Sequence, residues 1–297
     1  MSAPHAVLPS RHGQLIGTAI TLSLLPAGAD GSGPESRLPS PYDRPFTLGT
    51  RRLELLRSGH ALGGASLSIT VDGERILFAG AVNPRGGDLG GAADCRPCDT
   101  LIVSADYGDP QCELPPRAEA AADTVAFTRE VLARGGVPVL LVSSPAKALD
   151  VLCELGAAGL AALGHRAFVQ IAQRARASGV VVPALRRASG ARPRDAALLW
   201  PAAARGRLDH LELPSASRVA LVSGAAWRKA AVRAIRADAG FAWSNQADFP
   251  TLVEYVEGSA AHRVYTTGAF ARRFARALDR PGRTASALTP PEQLPLF

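Results

Sequence analysis

Lysine is almost absent from this chain, and cysteine and long apolar runs are scarce as well. Lys147 and Lys229 are the only lysines among 33 basic residues, so nearly all of the positive charge is arginine. Together with abundant alanine, glycine and proline, this bias is typical of a GC-rich coding sequence. The net charge of +7 therefore raises the expectation of a phosphate-bearing partner only modestly.

The four cysteines, Cys95, Cys98, Cys112 and Cys153, are too few for a disulfide framework in 297 residues. Cys95 and Cys98 have the spacing of half a zinc knuckle without a second pair, so structural zinc there is a minor alternative. Residues 15–25 form an apolar stretch that Thr and Ser interrupt and that is too short to span a bilayer. We expect a cytoplasmic protein with reduced thiols and no membrane partner.

Short apolar runs alternate with alanine-rich helical patterns, which indicates an α/β fold with βα units around a parallel sheet. Residues 14–25 suit a strand or a strand–helix junction, and residues 26–45 suit a loop. Asp72-Gly73 predicts a tight hairpin, because both central residues of a type I′ turn need positive φ. The predicted strands are 52–56, 65–71, 75–79, 100–104, 137–142, 180–182, 218–222 and 263–266, and the predicted helices are 116–133, 146–155, 165–177, one from Trp227, and 270–278.

Six short motifs occur in an order that resembles the metallo-β-lactamase-fold nucleases with a β-CASP cap. The most similar subgroup is the bacterial DNA exonucleases that accompany DNA ligases in repair. Each motif is weak alone, but together they cover almost the whole chain. They are RSGHALGGA from Arg57, DGERILFAG from Asp72, DTLI to YGD from Asp99, GGVPV from Gly135, WSNQADF from Trp243, and RVYTTG from Arg263.

The resemblance implies a truncated metallo-β-lactamase αββα sandwich with an inserted β-CASP-like α/β cap domain. Residues 1–115 and 240–280 would form the two parts of the sandwich, and residues 116–239 the cap. Residues 281–297 would be a flexible tail, since the segment from Arg280 to Glu292 is rich in Pro, Gly, Ser and Thr.

Nucleases of this family hold two metal ions, which generate a hydroxide and stabilise the phosphate in the transition state. The His-x-His-x-Asp-His cluster is missing here, and only its tail aligns, with Pro4 at the aspartate. Alanine and glycine cannot ligate a metal, and amides or hydroxyls substitute poorly for imidazole or carboxylate. We therefore expect no metal cofactor. The vestigial metal positions are His5, His60, Ala81, Ser104, Gln246, Asp248 and Gly268, the last shifting to Thr267 if the gap moves by one.

The two surviving ligand-type residues also have ordinary structural interpretations. His60 suits packing or hydrogen bonding within its glycine-rich loop better than metal ligation. Asp248 suits an N-cap or first-turn acid before a helix at 250–256. Ser223-Gly224-Ala225, between a strand and a helix, could offer backbone amides to a phosphate, although no P-loop pattern follows.

Arginine-rich segments are the candidates for nucleic-acid contact, and solvated helix faces are the alternative. They are Arg174 with Arg176, Arg186 and Arg187 with Arg192 and Arg194, and Arg272 and Arg273 with Arg276.

The last five residues resemble the motif by which bacterial repair and replication proteins bind the sliding clamp. A glutamine handle and an exposed Leu-Phe pair suit an extended peptide that docks into an apolar pocket. The alternative is that the pair folds back onto the chain's own core. The residues are Gln293, Leu294, Pro295, Leu296 and Phe297.

These observations predict a pseudoenzyme that acts as a clamp-tethered adaptor or DNA-binding subunit in bacterial DNA repair or replication, with other repair proteins as further partners. One alternative is an active DNA exonuclease, or another metal-dependent hydrolase, whose start is misassigned or whose metal site is rebuilt. Another is a structural partner of an active paralogue.

Overall fold

The computed structural model describes residues 13–25, 36–87, 89–188 and 195–288. These ranges form two large sheets, one small sheet and seven α-helices, so the mixed α/β class is confirmed. Across the same ranges, every helix is too short or too polar to cross a lipid bilayer.

The strands and helices follow one another along the chain. In order, they are β1 (Gln14–Gly17), α1 (Ala19–Leu24), β2 (Ser36–Pro39), β3 (Phe46–Leu48), β4 (Arg51–Arg57), β5 (Ala65–Val71), β6 (Glu74–Gly80), β7 (Thr100–Ser104), α2 (Arg117–Ala133), β8 (Pro138–Val142), α3 (Pro145–Ala157), β9 (Ala162–Gly164), α4 (Arg166–Ala177), β10 (Arg186–Arg187), β11 (Ala197–Pro201), β12 (Arg218–Val222), α5 (Lys229–Ala234), β13 (Ala239–Phe241), α6 (Phe249–Gly258), β14 (Arg263–Thr267), α7 (Ala271–Leu278) and β15 (Thr284–Ala287).

The seven-stranded sheet is mixed, with the order β15-β14-β7-β6-β5-β4-β3. Strands β3 to β6 form an antiparallel meander, and β6, β7, β14 and β15 run parallel. Asp72 and Gly73 have φ of +50° and +81°, which confirms the predicted hairpin. Side chains from α6 and α7, including Leu252 and Phe274, bury the sheet's apolar face around Leu101.

The six-stranded sheet is parallel throughout, with the order β10-β9-β11-β8-β12-β13. All five residues of β8 are buried, as expected for a central strand that is covered on both faces. One face packs against α2, α3 and α4, where Leu149 and Phe168 are buried. On the other face Trp200 and Leu208 are buried. The central strands β8 and β12 of this sheet are therefore covered on both faces.

Three predicted elements differ from the structure. Residues 180–182 are not a strand, because Val181 is 94% exposed and has no sheet neighbour to pack on. Residues 26–45, predicted as loop, include β2, which pairs in parallel with β1. The helix predicted from Trp227 begins at Lys229, after a short 3₁₀ turn.

The prediction of a loose tether from Arg280 is wrong for its first part. Strand β15 pairs in parallel with β14, and Arg283 is only 7% exposed. The Arg283 guanidinium donates hydrogen bonds to Glu257 at 2.9 Å and to the Leu278 carbonyl at 3.1 Å. Residues up to 288 thus belong to the folded body. The proposed clamp motif, at 293–297, lies outside the described residues, as do Pro4, His5, Arg192 and Arg194.

Candidate functional site

The carboxyl ends of several strands meet at one edge of the seven-stranded sheet. Strands β6, β7 and β14 run parallel, and β4 runs the same way because two antiparallel steps separate it from β6. Residues directly after these strands therefore lie near one another. The edge lines a cavity of about 270 Å³, which contains four of the predicted metal positions, His60, Ala81, Ser104 and Gln246, together with Thr267.

The second sheet supplies the opposite wall of this cavity, which we call the interdomain cavity. Ser143 and Ser144 follow β8, and Gly224 follows β12. These are neighbouring central strands, so their ends are firmly placed. The cavity thus lies between the carboxyl edges of both sheets, the usual location of ligand sites in parallel α/β structures.

His60 donates one hydrogen bond within its own loop, from its backbone amide to Ser58 Oγ, and one to the loop before α6. Its Nδ1 lies 3.0 Å from the Asn245 carbonyl oxygen. Since that oxygen can only accept, Nδ1 carries the proton and Nε2 keeps a free lone pair. Burial lowers the pKa of His60, and the hydrogen bond to Asn245 opposes this. The side chain is therefore neutral near pH 7, and its hydrogen-bond partner lies in the loop before α6 rather than in its own glycine-rich loop.

Asp248 is a helix cap, as the sequence predicted. Its Oδ1 accepts from the Thr251 amide at 3.2 Å, and its Oδ2 accepts from the Leu114 amide at 3.0 Å. The carboxylate is 3% exposed and does not line the interdomain cavity. It lines a neighbouring cavity of about 430 Å³, together with Arg85 and Arg117.

The position of the last family histidine is closed to any side chain at Gly268. Its φ is +90°, and a Cβ there would lie 2.6 Å from Asp106 Oδ1. Thr267, one residue earlier, ends β14 and does line the interdomain cavity. Of the two alternative positions for this histidine, only Thr267 lines the interdomain cavity.

The residues at these positions do not fit two divalent metal ions. One imidazole, one methyl group, two hydroxyls and one amide face the cavity, and none of them is a carboxylate ligand. Throughout the described residues, no three His, Cys, Asp or Glu side chains are grouped as metal ligands would be. Among these five positions, only His60 therefore carries a side chain that commonly ligates zinc.

Lys147 belongs to this site although no sequence pattern pointed to it. It is the third residue of α3, it is 2% exposed, and its Nζ makes no hydrogen bond to any residue that the structure describes. Nζ lies 4.6 Å from the ring centroid of Trp243, a cation–π contact. Burial lowers the pKa of Lys147 to about 7, which Asp150 opposes and Arg117 reinforces. The sole signal in the sequence was its rarity as one of two lysines.

Two carboxylates and a tyrosine near the cavity were also missed. Asp106 accepts from the Ala269 amide at 3.1 Å and from the Ser104 hydroxyl at 3.4 Å. Asp150 accepts a hydrogen bond from Asn245. Burial raises the pKa of Tyr107 to about 12, so its hydroxyl stays protonated. Both carboxylates are therefore already engaged by protein donors.

The predicted arginine clusters lie on three elements, α7, β10 and α4. Arg272, Arg273 and Arg276 are exposed on α7, whose first residues adjoin Gly268 at the cavity edge. Arg186 and Arg187 form the edge strand β10, three strands from β8, or about 14 Å at ~4.8 Å per strand. Arg174 donates a hydrogen bond to the Leu24 carbonyl, and Arg176 lies beside it on α4.

The cysteines lie away from the interdomain cavity. Cys95 Sγ contacts the Tyr255 carbonyl at 3.3 Å, and Cys98 is buried. Burial raises the pKa of Cys98 to about 11 and that of Cys112 to about 12. These thiols are protonated near pH 7, which suits packing better than ligation.

No protein-family model matches the chain. A probable DNA ligase of Opitutus terrae is 28% identical over 303 residues, which cover 100% of this chain and 29% of that protein. An RNase J-like protein of Methanocaldococcus jannaschii is 28% identical over 103 residues, or 34% of this chain and 24% of that protein. The chain thus spans less than a third of the length of these curated relatives.

Among the solved structures that resemble the chain, one shares the fold across nearly its whole length. It is a protein of unknown function from Enterococcus faecalis V583, with a TM-score of 0.62 and 11% identity. The match covers 93% of this chain and 74% of that one. At that identity the similarity describes the arrangement of elements alone. Together, the comparisons indicate a distant relation to proteins with nucleic-acid-related names.

Proposed function

We propose that this chain is a metallo-β-lactamase/β-CASP nuclease relative that binds nucleic acid without two-metal catalysis. The supporting observation is the interdomain cavity, where five former ligand positions converge and only His60 keeps a metal-binding side chain. The seven-stranded sheet would correspond to the metallo-β-lactamase part, and the six-stranded sheet to the cap. A strand would then lie along the groove between them.

A separate surface, formed by Gly268 and the start of α7, offers an aromatic ring close to cations. The guanidiniums of Arg228 and Arg273 lie 5.5 Å and 5.9 Å from the ring centroid of Phe270. Arg272 lies on the same short surface, which also includes Gly268. An aromatic platform with flanking arginines suits a single strand, since bases stack on the ring and phosphates meet the cations.

The names of the two relatives support the same class of partner. One is called a probable DNA ligase and the other an RNase J-like protein. Ligation and RNase activity both act on nucleic-acid strands, so a strand-binding role suits a relative that lacks the metal ligands.

We further propose that residues 293–297 tether the protein to a bacterial sliding clamp. Gln293 would hydrogen-bond at the rim of the clamp's pocket while Leu296 and Phe297 fill its apolar floor. Burial of these two side chains is worth roughly 1.5–3 kcal/mol each before the ordering cost of the segment. These energies correspond to an affinity in the micromolar range, which suits recruitment to cytoplasmic repair or replication complexes.

The direct test is equilibrium binding of a fluorescent single strand in EDTA across a range of salt concentrations. We expect salt-sensitive binding whose slope flattens by about one unit per lost phosphate contact in Arg228→Gln and Arg272→Gln. Arg273 is left unchanged, because it pairs with the buried Asp109. Arg186→Gln with Arg187→Gln is the matched control, since it removes two charges far from the cavity.

Two outcomes would overturn this proposal. Absence of binding at low salt would remove the nucleic-acid role. Metal-dependent cleavage that His60→Ala abolishes would favour the alternative of an active hydrolase with a rebuilt metal site.

A further inference from the structure

One face of the seven-stranded sheet is covered by helices, whereas the described residues leave the other face partly open. Leu77 and Leu101 pack with α6 and α7 and are at most 1% exposed. Because successive side chains of a strand point to opposite faces, Phe78 and Ile102 lie on the second face. Phe78 is 51% exposed, although it belongs to β6, the middle strand of the seven. The second face therefore presents a large aromatic side chain to solvent at its centre.

Phe78 is part of an apolar row that crosses five strands of this face. Ladder partners on neighbouring strands lie side by side on one face of a sheet. From β4 to β14, the partners in this row are Leu55, Leu67, Phe78, Ile102 and Tyr265. A second row, two residues along the strands, adds Leu53, Ile69 and Ile76. The strands are thus apolar on both faces, which is typical of strands that are covered on both sides.

The charges on this face neutralise each other. Glu74 and Arg263, at the end of the second row, form an ion pair. At the rim on β4, Arg57 pairs with Asp43 at 3.0 Å, and the exposed Arg51 lies beyond the end of both rows. Two apolar rows without an unpaired charge offer nothing to a phosphate backbone. Two copies of the face can meet without like-charge repulsion between the rows, although each chain has a net charge of +7.

We propose that these two rows, which we call the free sheet face, are a homodimer interface in which two copies of the chain pack sheet against sheet. Sheets stack about 10 Å apart when both are apolar and share the same twist, and an identical copy supplies both properties. A twofold pair would have four layers, helix, sheet, sheet and helix.

The size of the free sheet face sets the expected strength of this association. Five strands and about five residues along each strand give a footprint of roughly 24 Å by 17 Å, or ~400 Å². A standard interface buries ~800 Å² on each partner, so we expect a dimer that forms in the micromolar range rather than a permanent one. This inference does not rest on the proposed nucleic-acid role.

The first test is sedimentation velocity of the full chain across a range of micromolar concentrations. We expect a monomer–dimer equilibrium whose dissociation constant rises by roughly tenfold or more in Phe78→Glu, since both copies lose an aromatic contact and bury a charge. Val181→Glu is the matched control, because it places the same charge on a 94% exposed side chain in the loop after α4, and it should leave dimerisation unchanged. A monomer at every concentration, or equal weakening by both variants, would overturn the interface.

The second test uses the unaltered chain, so it does not depend on whether a variant folds. Hydroxyl-radical footprinting with mass spectrometry measures how accessible aromatic side chains are at low and at high protein concentration. Oxidation of Phe78 and Tyr265 should fall as the dimer forms, whereas oxidation of Phe270, at the start of α7, should stay constant. Oxidation of Phe78 that does not change with concentration would contradict the proposal. Protection of Phe78 already in the monomer would also overturn it, because the chain itself would then cover the face.

Discussion

The two sheet edges that face the interdomain cavity differ in what they contribute. The seven-stranded sheet contributes small or neutral groups, Ala81, Ser104 and Thr267. The parallel sheet contributes the start of α3 and the buried Lys147. One edge thus offers neutral groups, whereas a basic side chain is buried behind the other.

The largest expected effect comes from an attempt to restore a histidine on the first edge. Gly268→His should destabilise the protein by roughly 2–4 kcal/mol, because it adds a side chain at positive φ against Asp106. Thr267→His is the matched control at a position that lines the cavity, and it should cost less. Denaturant unfolding measures the loss of stability in both variants. Equal losses would show that Gly268 is no more closed to a side chain than Thr267.

The second prediction concerns Lys147, on the side of the parallel sheet. Lys147→Met should stabilise the protein by roughly 2–4 kcal/mol at pH 6, since it removes a desolvated charge. The pKa of Lys147 is about 7 when folded and 10.5 as a reference. Between these values the unfolded wild type binds more protons, so wild-type stability rises with pH. The advantage of Lys147→Met should therefore shrink from pH 7 towards pH 10.

Chemical denaturation across that pH range measures the difference between the two proteins. The other ionisable groups around Lys147 are present in both proteins, so their contributions to the difference largely cancel. A variant whose advantage is constant with pH would show that Lys147 has an ordinary pKa.

A smaller effect is expected at the loop that joins the two edges. Asp248→Ala should cost about 1–2 kcal/mol through the lost helix cap, and Asp248→Asn should cost less, because an amide oxygen still accepts from Thr251. Thermal unfolding measures both. If Asp248→Asn is as damaging as Asp248→Ala, the carboxylate acts through its charge and its Arg85 contact at 3.9 Å.

The smallest effect on stability is expected outside both sheets. Deletion of residues 293–297, or Leu296→Ala with Phe297→Ala, should leave the melting temperature nearly unchanged and abolish binding to the sliding clamp. Calorimetry with purified clamp measures the second part. A fall of several degrees without measurable clamp affinity would mean that the Leu-Phe pair packs on the chain's own core.

The sequence predicted secondary structure best at positions where the local residues determine it. Asp72-Gly73 determined the hairpin because few residues adopt positive φ, and the strands at 65–71, 100–104 and 218–222 match their predicted bounds. Strand β15 was missed because its Thr-Ala-Ser-Ala sequence has no strand pattern, and its pairing with β14 is tertiary. The short β9 and β13 were missed for the same reason.

One part of the candidate site could be predicted from the sequence, and the other part could not. The motif order placed His60, Ala81, Ser104 and Gln246, which the structure brings to one cavity. Lys147 could not be found that way, because a lysine in the first turn of a helix is ordinarily exposed. Its burial depends on Trp243, which is 96 residues away in the chain.

The measurement that tests the central claim most directly follows a labelled single strand with the purified protein, in EDTA and in added Mn²⁺ or Zn²⁺, for both binding and cleavage. The account predicts the same salt-sensitive binding in each condition and an intact strand throughout. Cleavage that requires metal and disappears in His60→Ala would contradict it, because the cavity would then hold the metal ions that its residues are inferred to have lost.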